Sequence, residues 1–294
     1  MRISIFMISM IAIGAIVHGC NTKKQSSKDS EALIEEESFL GQKPPRLIPE
    51  LFAPDLVSTN HLEIEAAIAP TMEEFYFIRQ KKGEAPKSHL LTFENGKLQD
   101  VEVERPSGEV FISTDNRIMY LGNAYKERTD FGWTEEKSIG ALFDKYSIMR
   151  LTASSDDTYY FDERDTIGTI RYSKMVDGQR EIPRKLGEQI NSGEFTSHPF
   201  IAPDESYLIW DSERDSGFGG SDLYISFRQD DGSWGPAINM GKEINTEIDD
   251  TYGSVTSDGK YFFFNRVDLG ESFEESEANI FWVDAQVIKR LRNK

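Results

Sequence analysis

Cysteine is almost absent from this 294-residue chain: Cys20 is the only one, and everything after it is thiol-free. A disulfide framework, a cysteine–zinc site and a cysteine nucleophile are therefore excluded beyond that point. Histidine is scarce as well. His61, His89 and His198 are the only imidazoles after Cys20, and no Ser–His–Asp order accompanies them, so a hydrolytic triad has little to stand on. Basic residues are outnumbered by acidic ones, 33 to 51, and no Lys/Arg cluster with interleaved aromatics occurs. That balance argues against nucleic-acid partners and against electrostatic docking on anionic lipid, and reads as the acidity that keeps an exported chain soluble. The acidic pairs Asp156-Asp157, Asp162-Glu163 and Asp249-Asp250 lack the alternating order of a calcium loop and read as solvated turns. The glycine-rich stretch Ser216–Ser221 leads into a strand and not into a helix, so it is no phosphate cradle. No metal and no cofactor are expected.

Long hydrophobic runs are missing too, apart from Ile3 to Val17 behind Arg2. Its length of about 15 residues falls short of the roughly 20 a helix needs to cross a bilayer, which makes it a secretory signal over residues 1–19. The tetrapeptide Val17-His18-Gly19-Cys20 resembles the lipobox of bacterial lipoproteins, with His18 standing where a small residue is usual. The resemblance implies lipid attachment at Cys20 and a cell-envelope location. Asn21 after the cysteine points, by analogy with enteric sorting, to the outer membrane. Residues 20–45 begin with a Ser-, Lys- and Glu-rich stretch that reads as a disordered tether, stiffened at its end by Pro44 and Pro45. The folded domain is expected over 46–290.

Within that domain short aromatic strands recur about every 40 to 50 residues. They are Glu74–Phe77, Ile118–Leu121, Thr158–Phe161, Tyr207–Trp210 and Tyr261–Phe264, and each follows a turn such as Ala202-Pro203-Asp204 or Thr256-Ser257-Asp258-Gly259. Third strands follow at Leu90–Phe93, Thr169–Ser173, Leu223–Phe227 and Ile280–Val283. The pairs Asn95-Gly96, Asp177-Gly178 and Asp231-Gly232 then supply the positive φ of tight turns leading to a fourth strand. Leu186-Gly187-Glu188-Gln189-Ile190-Asn191 is echoed by Met240-Gly241-Lys242-Glu243-Ile244-Asn245. Asp230-Asp231-Gly232-Ser233-Trp234 reads as a hairpin, and Trp133 as its packing counterpart in the second repeat.

Four antiparallel strands per repeat, with no helical periodicity between them, is the arithmetic of an all-β propeller. Five four-stranded blades follow, six if a degenerate blade hides in a long loop. The last repeat has only three strands, ending near Ile288, while Leu51–Asn60 is an orphan fourth strand. The N-terminal strand is thus expected to close the ring and remove its open edges. The pattern resembles WD-repeat-like propellers of TolB type over residues 47 to 290, most clearly at Ala202–Trp210, Ser212–Tyr224 and Asp231–Trp234. The resemblance implies a binding or scaffolding platform without a fixed catalytic set.

The first strand of each blade lines a propeller's channel. Aligning the repeats on their turns sets Glu65, Glu109, Met149, His198 and Tyr252 at one equivalent position. Four of the five are polar, and Glu65, Glu109, His198 and Tyr252 are the expected ligand-binding set. The leading reading is a monomeric, non-enzymatic module that binds a glycan or an envelope protein. The alternative is a carbohydrate-active hydrolase or lyase working through acids at the channel mouth.

Overall fold

The computed structural model describes residues 38–59, 61–164, 167–272 and 275–292. The signal segment, Cys20 and the tether through residue 37 lie outside the described residues. Along the chain, β1 (Glu50–Leu51) precedes a group made of β2 (Leu62–Ile68), β3 (Glu74–Gln80), β4 (Lys87–Glu94) and β5 (Lys97–Val103). A second group holds β6 (Val110–Ile112), β7 (Ile118–Leu121), β8 (Ala124–Thr129), β9 (Gly132–Trp133) and β10 (Lys137–Ser138). The third contains β11 (Leu151–Ala153), β12 (Tyr159–Glu163) and β13 (Thr169–Ser173), then a side hairpin β14 (Met175–Val176) and β15 (Gln179–Arg180), then β16 (Arg184–Lys185). The fourth is β17 (Glu194–Ile201), β18 (Tyr207–Glu213), β19 (Ser221–Phe227) and β20 (Ile238–Asn239). Last come β21 (Asp249–Val255), β22 (Tyr261–Asp268), β23 (Glu277–Asp284) and α1 (Gln286–Arg292).

Within each group the strands pair antiparallel, in sequence order except that β9 and β10 both pair with β8 and β13 pairs with β16, and the first strands touch one another in succession: β2 with β6, β6 with β11, β11 with β17, β17 with β21, and β21 with β2. β1 pairs antiparallel with β23, Glu50 opposite Trp282 and Leu51 opposite Phe281. β23 is longer than β1, and its other end forms one parallel pair with β2, Leu62 opposite Ala278. The last and first groups therefore share a continuous sheet of order β21-β22-β23-β2-β3-β4-β5, where separate units were expected.

The aromatic second strands form the core, packed between neighbouring groups. Phe52, Phe75, Phe263 and Trp282 interleave, with Phe52 and Phe75 centroids 4.6 Å apart and Phe52 edge-on to Phe263 at 5.2 Å. Such pairs add about 0.5–1.5 kcal/mol each beyond the area they bury. Phe39 and Leu40 are buried in the same cluster, so the packed region begins ahead of the start expected at Arg46.

The echoed six-residue motif has a direct cause. The Asn245 side chain accepts from the Leu223 N–H and donates to the Leu223 carbonyl, satisfying the outward edge of β19 just past the end of β20, where the Met240 N–H donates to the same carbonyl. Asn191 does the same for Ile170 at β13. The N-terminal segment reproduces the arrangement with a hydroxyl, as Ser58 Oγ donates to Ile280 O and Phe52 N–H donates to the same carbonyl.

Three boundaries differ from the sequence reading. The orphan strand expected over Leu51–Asn60 is a strand only at Glu50–Leu51, and residues 52–59 run on as turns. The strand expected to run to Ile288 stops at Asp284, whose carboxylate accepts from the Gln286 N–H and starts α1. Ile288 and Leu291, three residues apart, then bury one face of that helix in the core that also holds Phe227. Asp177-Gly178 turns the side hairpin β14–β15, whereas it was expected to lead into the fourth strand of its group. Asn95-Gly96 joins β4 to β5 as expected. Trp133 does pack as anticipated: its Nε1–H donates to Tyr76 of the preceding group, and Arg128 stacks on its ring at 3.9 Å.

Candidate functional site

The five aligned residues converge on one end of the space between the first strands. Their placement begins with a backbone irregularity. β2, β17 and β21 each carry an extra residue relative to the strand beside them, between Ile64 and Ala67, Ser197 and Phe200, and Thr251 and Ser254, and β17 carries a second between Glu194 and Ser197. The first residue of each bulge has a left-handed backbone: Glu65 at φ 62°, His198 at 49° and Tyr252 at 56°. Bulky residues avoid this region, at a cost of about 1–3 kcal/mol each, and bulges re-aim a side chain and free its N–H.

That N–H is taken up by the preceding group. Asp162 accepts from His198 N–H at 3.0 Å, Asp211 from Tyr252 N–H at 3.1 Å, and Asn265 from Glu65 N–H at 3.2 Å. Each acceptor directly follows the buried aromatic run of a second strand, after Phe161, Trp210 and Phe264. Asp162, read in the sequence as part of a solvated turn, is instead fully buried within β12, and sequence reasoning passed over Asp211 and Asn265, although the repeat held the signal: a polar residue directly after the aromatic run of three second strands. The remaining two positions are held differently. Glu109 N–H donates to Met149 O at 3.3 Å, and Gly122 lets the backbones meet. A Cβ on Gly122 would lie 2.5 Å from Ile148 O.

Side-chain contacts then build a cluster. The imidazole of His198 stacks on the Tyr252 ring with centroids 3.8 Å apart, and its Nδ1 lies 2.9 Å from an Asp211 carboxylate oxygen. Its Nε2 faces Glu109 Oε1 at 3.6 Å, and the Tyr252 hydroxyl lies 3.5 Å from that same oxygen. Glu109 Oε2 is buried and has no hydrogen-bond partner. Arg150, 2% exposed, also carries a partnerless Nε and enters no ion pair among the described residues. Above the cluster opens a cavity of about 690 Å³ whose walls include Glu65, Glu109, Met149, Tyr252, Arg105 and Arg164.

Burial dominates the protonation of this cluster. It lifts the Glu109 carboxyl to about 8, with Glu65 and Asp162 pushing the same way against His198 and Arg150. Glu65 rises to about 7 for the same reason, opposed by His198, Arg105 and Arg150. Burial alone would depress His198, but the carboxyl groups of Asp211 and Glu109 overcome it and raise the imidazole to about 9. Burial also pushes Asp162 and the Tyr252 phenol up. At neutral pH the cluster thus presents a neutral Glu109, an imidazole kept charged chiefly by Asp211, and a phenol, three groups able to donate to an acceptor-rich molecule. Among the described residues no cluster of carboxylates and imidazoles has the geometry of a metal site.

No protein-family model matches the chain, and no curated protein matches it in sequence. Solved structures with a related arrangement are β-propeller proteins at low identity. TolB from Acinetobacter baumannii aligns at 11% identity and a TM-score of 0.46 over 76% of this chain, which spans 57% of TolB. A gluconolactonase from Xanthomonas campestris aligns at 9% identity and a TM-score of 0.43, over 81% of this chain and 96% of its own. The β-propeller domain of a trilobed protease from Pyrococcus furiosus gives 10% identity and a TM-score of 0.34, over 76% and 69%.

Proposed function

We propose that this chain is a five-bladed β-propeller, closed by its N-terminal strand, whose channel mouth binds a small polar ligand without transforming it. The closed succession of contacts among β2, β6, β11, β17 and β21, and the pairing of β1 with β23, support the blade count and the closure. The lipobox-like Val17–Cys20 and the polar stretch that follows support a lipid-anchored, monomeric module held off an envelope membrane, the outer one by the Asn21 analogy.

The observation that carries the binding reading is Glu109 Oε2. A buried carboxyl oxygen without a partner costs about 1–3 kcal/mol, and this one belongs to a carboxyl whose other oxygen faces His198 and Tyr252 and whose residue lines an open cavity. A ligand hydroxyl or carbonyl placed there removes that cost. A second reading follows from the raised Glu109 and Glu65, since protonated acids in a cavity serve glycoside cleavage or lyase chemistry.

The test is a screen of the detergent-purified chain against neutral and acidic glycans, peptidoglycan fragments and chromogenic glycosides, repeated on Glu65→Gln/Glu109→Gln. Saturable binding without turnover, lost in the double variant while its melting temperature holds, is the expected result. Turnover that disappears with the acids replaces the binding reading by the catalytic one, and a ligand bound equally by both proteins overturns the site.

A further inference from the structure

Below the ring of bulge residues the channel changes character. A second cavity of about 50 Å³ is lined by Ala66, Ala67, Ile112, Phe200, Ile201 and Val255, with Arg150 as its one charged wall residue. Thr114, Ser254 and Ser257 add hydroxyls. We propose that this chamber is a binding site for a small monocarboxylate anion, held by the Arg150 guanidinium with its short apolar tail against the aliphatic walls. The chamber is separate from the mouth cavity, so the proposal does not depend on what the mouth binds.

Three observations carry it. Arg150 is a permanent cation at 2% exposure, with an Nε that has no partner and no ion pair among the described residues. An uncompensated buried charge costs several kcal/mol, and a bound carboxylate, offering two oxygens to the planar guanidinium, relieves that cost. The second observation is size. A cavity needs about 10–15 Å³ per water by this measure, so the chamber takes about three to five waters or one molecule with as many heavy atoms, such as acetate. The third is wall chemistry. Aliphatic and aromatic groups beside one cation suit a methyl or ethyl group attached to a carboxylate better than a fully hydrated ion.

The charged neighbours set the pH dependence. The Arg150 charge acts on Glu65 of β2, on Glu109 just before β6 and on Tyr252, with His198 against Tyr252, the Asp162 carboxylate on the Arg150 backbone N–H and Arg105 in the wall of the mouth cavity. Burial keeps both glutamates largely protonated until pH passes about 7 to 8. Below that range they add little negative charge, and Arg150 needs an external anion. Above it they ionise, supply the counter-charge themselves and repel the guest.

The test uses carbon-13 acetate as the probe, followed by NMR line broadening and thermal shift on the detergent-purified chain at constant ionic strength in acetate-free, non-carboxylate buffer. Wild type is expected to bind acetate saturably at pH 6, and about tenfold or more weakly at pH 9. Arg150→Met keeps the aliphatic stem, removes an unpaired buried charge, and is expected to fold and to lose acetate binding by about tenfold or more. Arg150→Lys retains part of it. Acetate binding that is absent from wild type, equal in wild type and Arg150→Met, or stronger at pH 9 overturns the proposal. If Arg150→Met does not fold, the wild-type pH profile decides.

Discussion

Replacing Glu109 by Gln tests whether the cluster is protonated by burial, because the amide keeps the shape of the neutral acid and removes only its titration. Glu109 is 8% exposed and its carboxyl is raised from 4.5 to about 8. A carboxyl raised on folding contributes stability that is full below its unfolded pKa and is lost as pH rises through the folded one. Between pH 7 and pH 9 the unfolded carboxylate is ionised throughout, while the folded one passes from mostly protonated to mostly ionised. Integrating the difference over that interval gives about one pKa unit, on the order of 1 kcal/mol. For a domain of this size that is a fall in melting temperature of roughly 2–4 °C specific to Glu109. His198, raised from 6.5 to about 9, adds a loss in the same direction, so both proteins decline over this range. The assay is a melting curve by circular dichroism at pH 7, 8 and 9, with wild type falling more steeply than Glu109→Gln. Parallel profiles would refute the claim that burial protonates Glu109, and a steeper fall in the variant would reverse its sign.

The remaining predictions concern the frame and the anchor. Deleting residues 47–59 removes the strand paired with β23 and the buried Phe52, and is expected to cause aggregation or a clearly lower melting temperature; unchanged stability refutes the closure. Asn245→Ala strips the Leu223 N–H of its acceptor, while the Leu223 carbonyl keeps the Met240 N–H, and is expected to cost about 1–3 kcal/mol by urea denaturation, whereas a loss under about 0.5 kcal/mol contradicts the role given to the motif. Cys20→Ser is expected to release the chain from membrane fractions or leave its signal uncleaved, and failure of a fatty-acid analogue to label the wild type rules the anchor out.

Much of the frame was legible because the repeat is written in aromatic strands. Tyr207–Trp210 and Tyr261–Phe264 are apolar enough to be buried on both faces, and their Pro-Asp or Asp-Gly turns fix where each strand begins. The alignment of those turns also brought Glu65, Glu109, Met149, His198 and Tyr252 to one place, since a shared fold puts equivalent positions at equivalent depth. What sequence could not supply was the conformation at that position. A left-handed His or Tyr is unfavourable locally and persists only because Asp162 or Asp211 from the preceding group accepts its N–H. That is a long-range contact with no local signature. Helix α1 was missed for a related reason: Ala278 to Val283 reads as strand, and the change of period at Gln286 spans only two turns of chain.

The same residues that hold neighbouring groups together also set the chemistry between them. Asp211 accepts from the Tyr252 backbone of the next group while its carboxylate faces the His198 ring of its own, so one side chain fixes the bulge and charges the imidazole. Asp162 accepts from Met149 and Arg150 of its own group and from His198 of the next. Substituting either acid would therefore shift backbone and titration together, and loss of binding in such a variant would not identify a ligand contact. Glu109 and Arg150 differ. Each presents a buried polar atom with no partner, Glu109 Oε2 and Arg150 Nε. Their side chains are therefore the places where a substitution changes what the channel can hold while leaving the bracing by Asp162, Asp211 and Asn265 in place.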